Sequence, residues 1–291
     1  MDALTTSATD TEPAISFART ICGIDSSPQG MEAVSQAFKL CPDDGKVLGA
    51  AAWDPRLAMH AGIHASTVRV DLRAESVAAL TKAHEAYPDL ELMLLRGSSV
   101  SALLSAAAEE NADLISVGSH GGPRLTGIAF GSVATAMVHH APCSVLVARP
   151  PANGEFPGLI VHAADGSADS LDAAQVAGQI AARHGSKVVS LNVSDDPSTG
   201  RVLAEEAASL VEQAGADVDV EALGGSPHRG IEEFASSARA SLVVVGSRGM
   251  TGLKALGSVS ERVAHRSPCS VLVVRRANHP AQEDNALTSV P

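Results

Sequence analysis

VGSHGGPRLTGIAFGSV, residues 117–133, predicts a strand end, a glycine-rich loop and a helix start in immediate succession. The apolar run 113–117 is typical of a buried strand. After Gly131-Ser132, apolar residues recur at the spacing of one helix face. Glycine lets backbone N–H groups approach a ligand closely, and the first N–H groups of a helix are free to donate and carry a partial positive charge. This stretch therefore predicts a cradle for a phosphate group.

The same pattern occurs a second time, as VGSRGMTGLKALGSV at residues 245–259. Both copies share VGS-x-G, then TG, then GSV, and both continue into the run Pro-Cys-Ser-Val-Leu-Val. Such self-similarity indicates a duplicated domain. We predict domains at 17–149 and 158–276, joined by a Pro- and Gly-rich linker at 150–157. The polar stretches 1–16 and 277–291 are predicted to be disordered tails.

Composition narrows the classes of function that this chain can have. Its 291 residues are 45 % hydrophobic, which is enough to build two cores. A net charge of −12 and an aromatic content of 2 % argue against a nucleic-acid partner, which needs clustered cations or stacking platforms. The sequence has no apolar stretch of membrane-spanning length and no apolar signal core near its start, so we expect no membrane association and a cytoplasmic location.

The four cysteines show neither a CxxC pair nor a metal-ligand spacing. Cys22, Cys143 and Cys269 stand in apolar, strand-like runs, whereas Cys41 ends a helical pattern. We interpret them as buried small apolar side chains in a reducing compartment.

Strands alternate with helical segments in both halves, which predicts parallel βαβ units. Ligands of such open sheets bind beyond the carboxyl ends of the strands. An acid follows the first strand of each half, Asp25 or Asp165, and the glycine loop follows the fourth strand. If these two strands are neighbours, the acid and the cradle share one crevice. A carboxylate accepts hydrogen bonds from ribose or a base, so the pair predicts a mononucleotide site.

The glycine pattern resembles the signature of the universal stress protein family, which is Gly-x2-Gly-x9-Gly-[Ser/Thr]. Gly118, Gly121, Gly131 and Ser132 match it with all nine intervening residues. The chain thus resembles a tandem, two-domain member over residues 19–149 and 158–276. The resemblance implies an α/β fold, Rossmann-like and similar to adenine nucleotide alpha hydrolases. Each domain would hold a five-stranded parallel sheet in the order 3-2-1-4-5. In the nucleotide-binding branch of the family it also implies bound ATP, with or without Mg²⁺.

Carried over to the first copy, the family pattern implies that Asp25 contacts adenosine and that the backbone near two strand ends meets adenine. Glycines and the helix start would hold ribose and phosphates. The implied ATP-binding residues of this copy are Asp25, Ala52, Val117, Gly118, Gly121, Gly131, Ser132 and Val133.

The second copy departs from the signature, because only seven residues separate Gly249 from Gly257. We therefore predict weaker ATP binding there, through a loop that runs closer to the sheet. The implied residues of this copy are Asp165, Val193, Val245, Gly246, Gly249, Gly257, Ser258 and Val259.

Several of these features have simpler interpretations. Asp25 could cap the first helix, although Ser27 already offers a cap, and Asp165 could belong to a turn. Ser132 and Ser258 could be helix caps only.

The histidines have simpler interpretations as well. His120 is interpreted as a solvated side chain, like Arg248 at the matching position of the second loop. His60 and His64 have a helical metal-ligand spacing but lack a third ligand, so we predict no metal site. His139-His140 at a helix end would favour the helix dipole.

The sequence lacks a P-loop, a GxGxxG motif after the first strand, and an evident nucleophile–base pair or carboxylate dyad. The leading hypothesis is a cytoplasmic ATP-binding stress-response protein that acts as a sensor or regulatory module for unknown protein partners, and not as an enzyme. Two alternatives remain, a slow ATP-hydrolysing enzyme and a nucleotide-free scaffold. The apolar fifth strands are predicted to pair in an intramolecular pseudo-dimer, since they would otherwise leave open edges, and a homodimer of whole chains is a further expectation.

Overall fold

Strands and helices alternate through both halves of the chain in the computed structural model, which describes residues 17–57, 59, 65–120, 130–247 and 257–275. The first half contains β1 (Arg19–Gly23), α1 (Pro28–Leu40), β2 (Lys46–Trp53), α2 (Ala65–Ala86), β3 (Glu91–Arg96), α3 (Ser99–Glu109), β4 (Leu114–Gly118), α4 (Ser132–His140) and β5 (Ser144–Ala148). The second half contains β6 (Ile160–Ala163), α5 (Ala168–His184), β7 (Val188–Ser194), α6 (Pro197–Gln213), β8 (Val218–Gly224), α7 (Pro227–Ser237), β9 (Leu242–Gly246), α8 (Ser258–Arg266) and β10 (Ser270–Val274).

All these strands belong to one sheet with the order β3-β2-β1-β4-β5-β10-β9-β6-β7-β8. Each half is parallel and has the order 3-2-1-4-5, as predicted. β2 and β3 lie on one side of β1 and β4 and β5 on the other, so β1 and β4 are parallel neighbours, with Thr20 opposite Leu114. The carboxyl ends of β1 and β4 therefore lie side by side at one edge of the sheet, as the mononucleotide hypothesis requires.

The two halves join through β5 and β10, which pair antiparallel with Leu146 opposite Leu272. This pairing confirms the predicted intramolecular pseudo-dimer. Both strands are completely buried along their length, because each half covers the edge that the other would leave open. The predicted tails lie outside the described residues, and the exact domain and linker boundaries stay predictions.

The β5–β10 interface also exchanges helix caps between the halves. Arg149 follows β5 and reaches α8 of the other half, where its guanidinium donates to the carbonyl oxygens of Ala264 (2.6 Å), Cys269 (3.2 Å) and His265 (3.4 Å). The Ala264 and His265 carbonyls belong to the last turn of α8, where the helix itself cannot satisfy them, and Cys269 directly precedes β10. Burial lowers the pKa of Arg149 to about 10, so the side chain keeps its charge at neutral pH.

Arg275 makes the equivalent contact from the second half to the first. It follows β10 and donates to carbonyl oxygens of Val138, Ala141 (3.2 Å) and Cys143 (3.3 Å) at the end of α4. A serine at the start of each paired strand holds the arginine backbone: the Ser270 hydroxyl accepts from Arg149 N at 2.9 Å, and the Ser144 hydroxyl accepts from Arg275 N at 3.1 Å. The interface is thus held by matched contacts on both sides of a pseudo-two-fold axis.

Two helices of the second half begin at side-chain caps, ahead of their apolar faces. Helix α5 begins at Ala168, because Ser167 caps it by accepting from the N–H of Ser170 at 3.2 Å. Helix α6 begins at Pro197, where Asp196 accepts from the N–H of Ser198 at 3.1 Å. The first turn of a helix needs a cap but no apolar face, so periodicity alone misses it.

The cysteines are buried and unpaired, which confirms their interpretation as small apolar side chains. Burial raises the pKa of all four thiols, to about 12 for Cys143. Within the described part of the chain, no helix combines the length and apolar character needed to cross a membrane.

Replacement of Arg149 by Met should lower the free energy of unfolding by about 2–4 kcal/mol, because it removes charged hydrogen bonds and leaves buried carbonyls unsatisfied. Methionine keeps most of the apolar stem. Urea denaturation followed by circular dichroism measures the effect. The control is Arg201→Met, which removes an exposed Arg–Glu pair on α6 and should cost less than about 1 kcal/mol. Equal losses in both variants would contradict the assigned role of Arg149.

We predict that the burial of His162 in β6 makes the stability of the protein depend on pH. Its Nε2–H donates to the carbonyl of Ser170 at 2.9 Å, its Nδ1 is buried without a partner, and burial lowers its pKa from 6.5 to about 4. The unfolded chain therefore takes up a proton first as the pH falls. Stability should be unaffected by this group above pH 6.5 and should fall by roughly 3 kcal/mol between pH 6.5 and pH 4.

The first half carries Cys22 at the position of His162, so His162→Cys is the matched variant. Between pH 6.5 and pH 4, the free energy of unfolding of His162→Cys should fall by roughly 3 kcal/mol less than that of the wild type. Parallel pH curves for wild type and His162→Cys would show that His162 titrates normally in the folded chain.

Candidate functional site

A cavity of about 530 Å³ lies over the carboxyl ends of β1, β2 and β4 in the first half. It is lined by the turn after β1, by the end of β2, by the end of β4 and by the first turn of α4. The described sequence-predicted residues of the first copy all line it, and they are Asp25, Ala52, Val117, Gly118, Gly131, Ser132 and Val133. The fold therefore brings together the acid and the glycine motif, which lie about a hundred residues apart in the chain.

Asp25 belongs to the start of α1 without capping it. Ser27 is the cap, since its hydroxyl accepts from Gly30 N at 3.1 Å. Asp25 Oδ1 in turn accepts from the backbone N–H of Ser27 at 3.0 Å and from its hydroxyl. The Asp25 side chain is exposed at the cavity wall. It can thus hold the turn with one oxygen and present the other to a ligand.

Glycine at position 118 is required by packing. A Cβ there would lie 2.8 Å from the Gln29 carbonyl oxygen, which no real side chain tolerates. The start of α1 can approach the end of β4 only because Gly118 has no side chain. This close approach brings the α1 turn to the cavity wall beside β4.

The first turn of α4 leaves its backbone donors uncovered by a cap. Gly131 is the N-cap residue and offers no side chain to the helix N–H groups. Its own N–H donates to the carbonyl of Ser119 at 2.7 Å, which closes the base of the glycine loop. Ser132 and Val133 are the first helical residues, so the alternative that Ser132 is the cap is wrong. The same correction holds for Ser258, because Gly257 is the N-cap of α8.

His120 also lines the cavity and is partly exposed there. Its Nδ1 lies 3.0 Å from the Ser119 hydroxyl, and its Nε2 lies 3.3 Å from the Gln29 amide nitrogen. The ring is therefore oriented by both flanking elements. Its position directly before the loop is the only sequence signal for this role, and a loop position alone does not fix where a side chain points.

The opposite wall of the cavity is apolar and made of small residues. Ala50 and Ala52 stand on the same face of β2, and the small side chains leave room above the sheet. The Ala52 carbonyl accepts from the Ser76 hydroxyl at 3.2 Å, which ties α2 to this wall. Trp53 follows at the rim, with the Arg96 guanidinium 5.9 Å from the centre of its ring.

The second half repeats the polar framework of this site. Asp165 accepts from the N–H and the hydroxyl of Ser167 at 2.9 and 2.6 Å, as Asp25 does from Ser27. A Cβ at Gly246 would lie 2.8 Å from the Asp169 carbonyl oxygen, and Gly257 N donates to Ser247 O at 2.7 Å. Val245 is buried under this framework, whereas Ser258 is exposed and Val259 partly buried at the start of α8.

The apolar wall of the second half differs from that of the first. Leu191 and Val193 replace Ala50 and Ala52 on β7 and fill the corresponding space. Helix α7 packs so tightly there that a Cβ at Gly230 would lie 2.6 Å from a methyl group of Val193. The two halves therefore offer the same polar groups beside apolar walls whose side chains differ in size.

Gly121 and Gly249 lie outside the described residues, as do His60 and His64, so their predicted roles stay predictions. The loop bases on either side coincide: Ser119 N and Ser247 N donate to Ala148 O and Val274 O at 3.1 and 3.0 Å. The two-residue difference between the loops thus falls between equivalent anchors.

Comparison with known proteins agrees with this architecture. The sequence profile described as "Universal stress protein family" matches residues 16–149 and again 159–275. The chain belongs to the universal stress protein family. Its two matched segments coincide with the two halves of the sheet, so this is a tandem universal stress protein.

Individual proteins of known sequence or structure are similar to this chain. Universal stress protein MJ0531 of Methanocaldococcus jannaschii is 36 % identical over 138 residues, which cover 40 % of this chain and 81 % of that protein. A crystal structure of a universal stress protein from Archaeoglobus fulgidus superposes with a TM-score of 0.68 at 22 % identity, covering 91 % of this chain and 98 % of the other. A universal stress protein solved in complex with cAMP is 35 % identical, with a TM-score of 0.37, over 40 % of this chain and 96 % of its own.

Proposed function

We propose that this tandem universal stress protein binds ATP in the crevice of its first half and serves as a nucleotide-dependent sensor or regulatory module. The observation that supports this most is the juxtaposition, around one cavity of about 530 Å³, of the Asp25 carboxylate and the first turn of α4. These two groups complement the two polar ends of a nucleotide. A volume of this order suits a small-molecule ligand.

The expected pose follows from the chemistry of each wall. Asp25 would accept hydrogen bonds from a ribose hydroxyl. The adenine ring would lie over the small residues Ala50 and Ala52. The triphosphate would meet the backbone N–H groups at Gly131, Ser132 and Val133, where the α4 dipole favours negative charge. Mg²⁺, if present, would be held by the phosphates in this pose.

A regulatory rather than a catalytic role fits the side chains at the cavity. Its titratable side chains include Asp25, Asp54, Glu75 and His120, and Asp54 is occupied by Arg56 in a 2.8 Å ion pair. His120 is the candidate base for slow hydrolysis. Single-turnover measurements with wild type and His120→Gln decide between a binding module and a slow enzyme. The buried thiols fit a reducing compartment such as the cytoplasm.

Gly131→Asp should weaken ATP binding most, because it sets a carboxylate against the phosphates at a cost of about 1–4 kcal/mol. Ser132→Ala should cost less than Gly131→Asp, since the backbone N–H groups remain and at most one charged hydrogen bond of about 1.5–3 kcal/mol is lost. Isothermal titration calorimetry with ATP, and with cAMP as a second probe, measures both.

Gly131→Ala is the matched control for crowding. A Cβ at this position would lie 3.2 Å from His120 Cα and 3.4 Å from Ser119 O, a tight fit that needs only small shifts. The alanine variant should therefore bind ATP much better than the aspartate variant. If Ser132→Ala loses as much affinity as Gly131→Asp with unchanged circular dichroism, the hydroxyl and not the backbone is the main phosphate ligand.

The first crevice should bind ATP more tightly than the second. Gly131→Asp should remove most of the measured binding, and Gly257→Asp little of it. Ala52→Val, which copies the residue at the second crevice, should weaken binding by about 1–3 kcal/mol through overpacking. The reverse substitution, Val193→Ala, should leave the affinity of the first site unchanged. The ranking is wrong if Gly257→Asp abolishes binding while Gly131→Asp retains it.

A further inference from the structure

Two histidines from equivalent positions of the two halves meet beside the β5–β10 interface. His139 stands eight residues after Gly131, the N-cap of its helix, and His265 stands eight residues after Gly257, the N-cap of its own. His139 lies on α4 and His265 on α8, one turn after Glu261 on the same helix. One ligand atom from each of these three side chains lies within 4.8 Å of the other two.

The distances suit a small cation. His139 Nε2 lies 3.3 Å from Glu261 Oε1. In a tetrahedral zinc site with bonds of about 2.0–2.2 Å, neighbouring ligand atoms are roughly 3.3 Å apart. One edge of the tetrahedron is therefore already formed. The His265 nitrogen, within 4.8 Å, needs to move by roughly 1.5 Å or less to complete the triangle.

His265 is held in place, but one of its ring nitrogens has no hydrogen-bond partner. Its ring stacks on Phe130 with the ring centres 4.0 Å apart, and its Nε2 is buried without a hydrogen-bond partner. A buried unpaired nitrogen is uncommon and calls for a cause. The other two side chains remain 32 % and 42 % exposed, so an ion can enter from solvent.

The local charges are compatible with a neutral imidazole. Desolvation by burial lowers the pKa of His265, the charges of His139, Arg149 and Arg266 lower it further, and Glu261 opposes them. A neutral ring is the form that binds a metal. The Arg149 guanidinium lies 5.7 Å from the centre of the Phe130 ring and donates to a carbonyl oxygen of α8. The negative charge that would offset a bound cation here is that of Glu261.

We propose that His139, Glu261 and His265 bind one divalent transition-metal ion, with Zn²⁺ as the expected metal, between the two halves of the protein. Two imidazoles and one carboxylate favour Zn²⁺ over Mg²⁺ and Ca²⁺, which prefer oxygen ligands. Three protein ligands leave the fourth position to water. Because α4 and α8 supply ligands from different halves, bound metal stabilises their packing across the β5–β10 interface.

The test is a calorimetric titration of chelator-treated, full-length protein with Zn²⁺, in the presence of excess Mg²⁺. The variants are Glu261→Gln and the pair His139→Gln with Glu261→Gln, and the matched control is His140→Gln, on the exposed neighbouring residue of α4. We expect the wild type and His140→Gln to bind one ion more than the double variant, and Glu261→Gln to bind that ion on the order of tenfold or more weakly.

Zinc should also raise the urea midpoint of the wild type and of His140→Gln, but not of the double variant, because it binds the folded state only. Circular dichroism of each variant without metal checks the fold. The proposal is overturned if the wild type and the double variant bind the same number of zinc ions with the same affinity. It is equally overturned if zinc binds without changing the urea midpoint, or if it shifts both midpoints alike.

Discussion

The antiparallel pairing of β5 with β10 is the contact on which the rest of the molecule depends. Each half is a five-stranded parallel sheet with one apolar edge, and this edge would be exposed if the half stood alone. Pairing satisfies the backbone groups of both edges in one step. The guanidinium groups of Arg149 and Arg275 then cross the interface and satisfy the last carbonyls of α8 and α4. Neither half can therefore complete its own helix ends.

This exchange links the interface to the candidate sites at the other end of the same helices. The N-terminus of α4 faces the first crevice, and its C-terminus is held by the other half. The cap therefore helps to fix the orientation of the helix that presents its N–H groups to the cavity. The proposed metal ligands lie near the C-terminal ends of α4 and α8, so ion binding and arginine capping would act on the same helix pair.

Duplication has left one polar framework beside two apolar walls whose side chains differ in size. The Asp-to-Ser turn, the close helix–strand approach at Gly118 or Gly246, and the closure of the loop base recur in both halves. The difference lies in the apolar wall. Alanines at positions 50 and 52 leave space, whereas Leu191 and Val193 occupy it, with α7 pressed against β7 through Gly230.

The sequence by itself determined the fold class and the division into two repeated halves, because βαβ periodicity, caps and a repeated glycine signature are local signals. The strand order was predicted only through the resemblance of that signature to a known family. It also placed Asp25 and Gly131 in one site, since the order of parallel strands fixes which ends are neighbours. Tertiary structure alone decided that His120 lines the cavity, that Leu191 and Val193 fill the second crevice, and that His139 meets Glu261 and His265. These depend on side-chain directions and on helix packing across the β5–β10 interface, which no local pattern encodes.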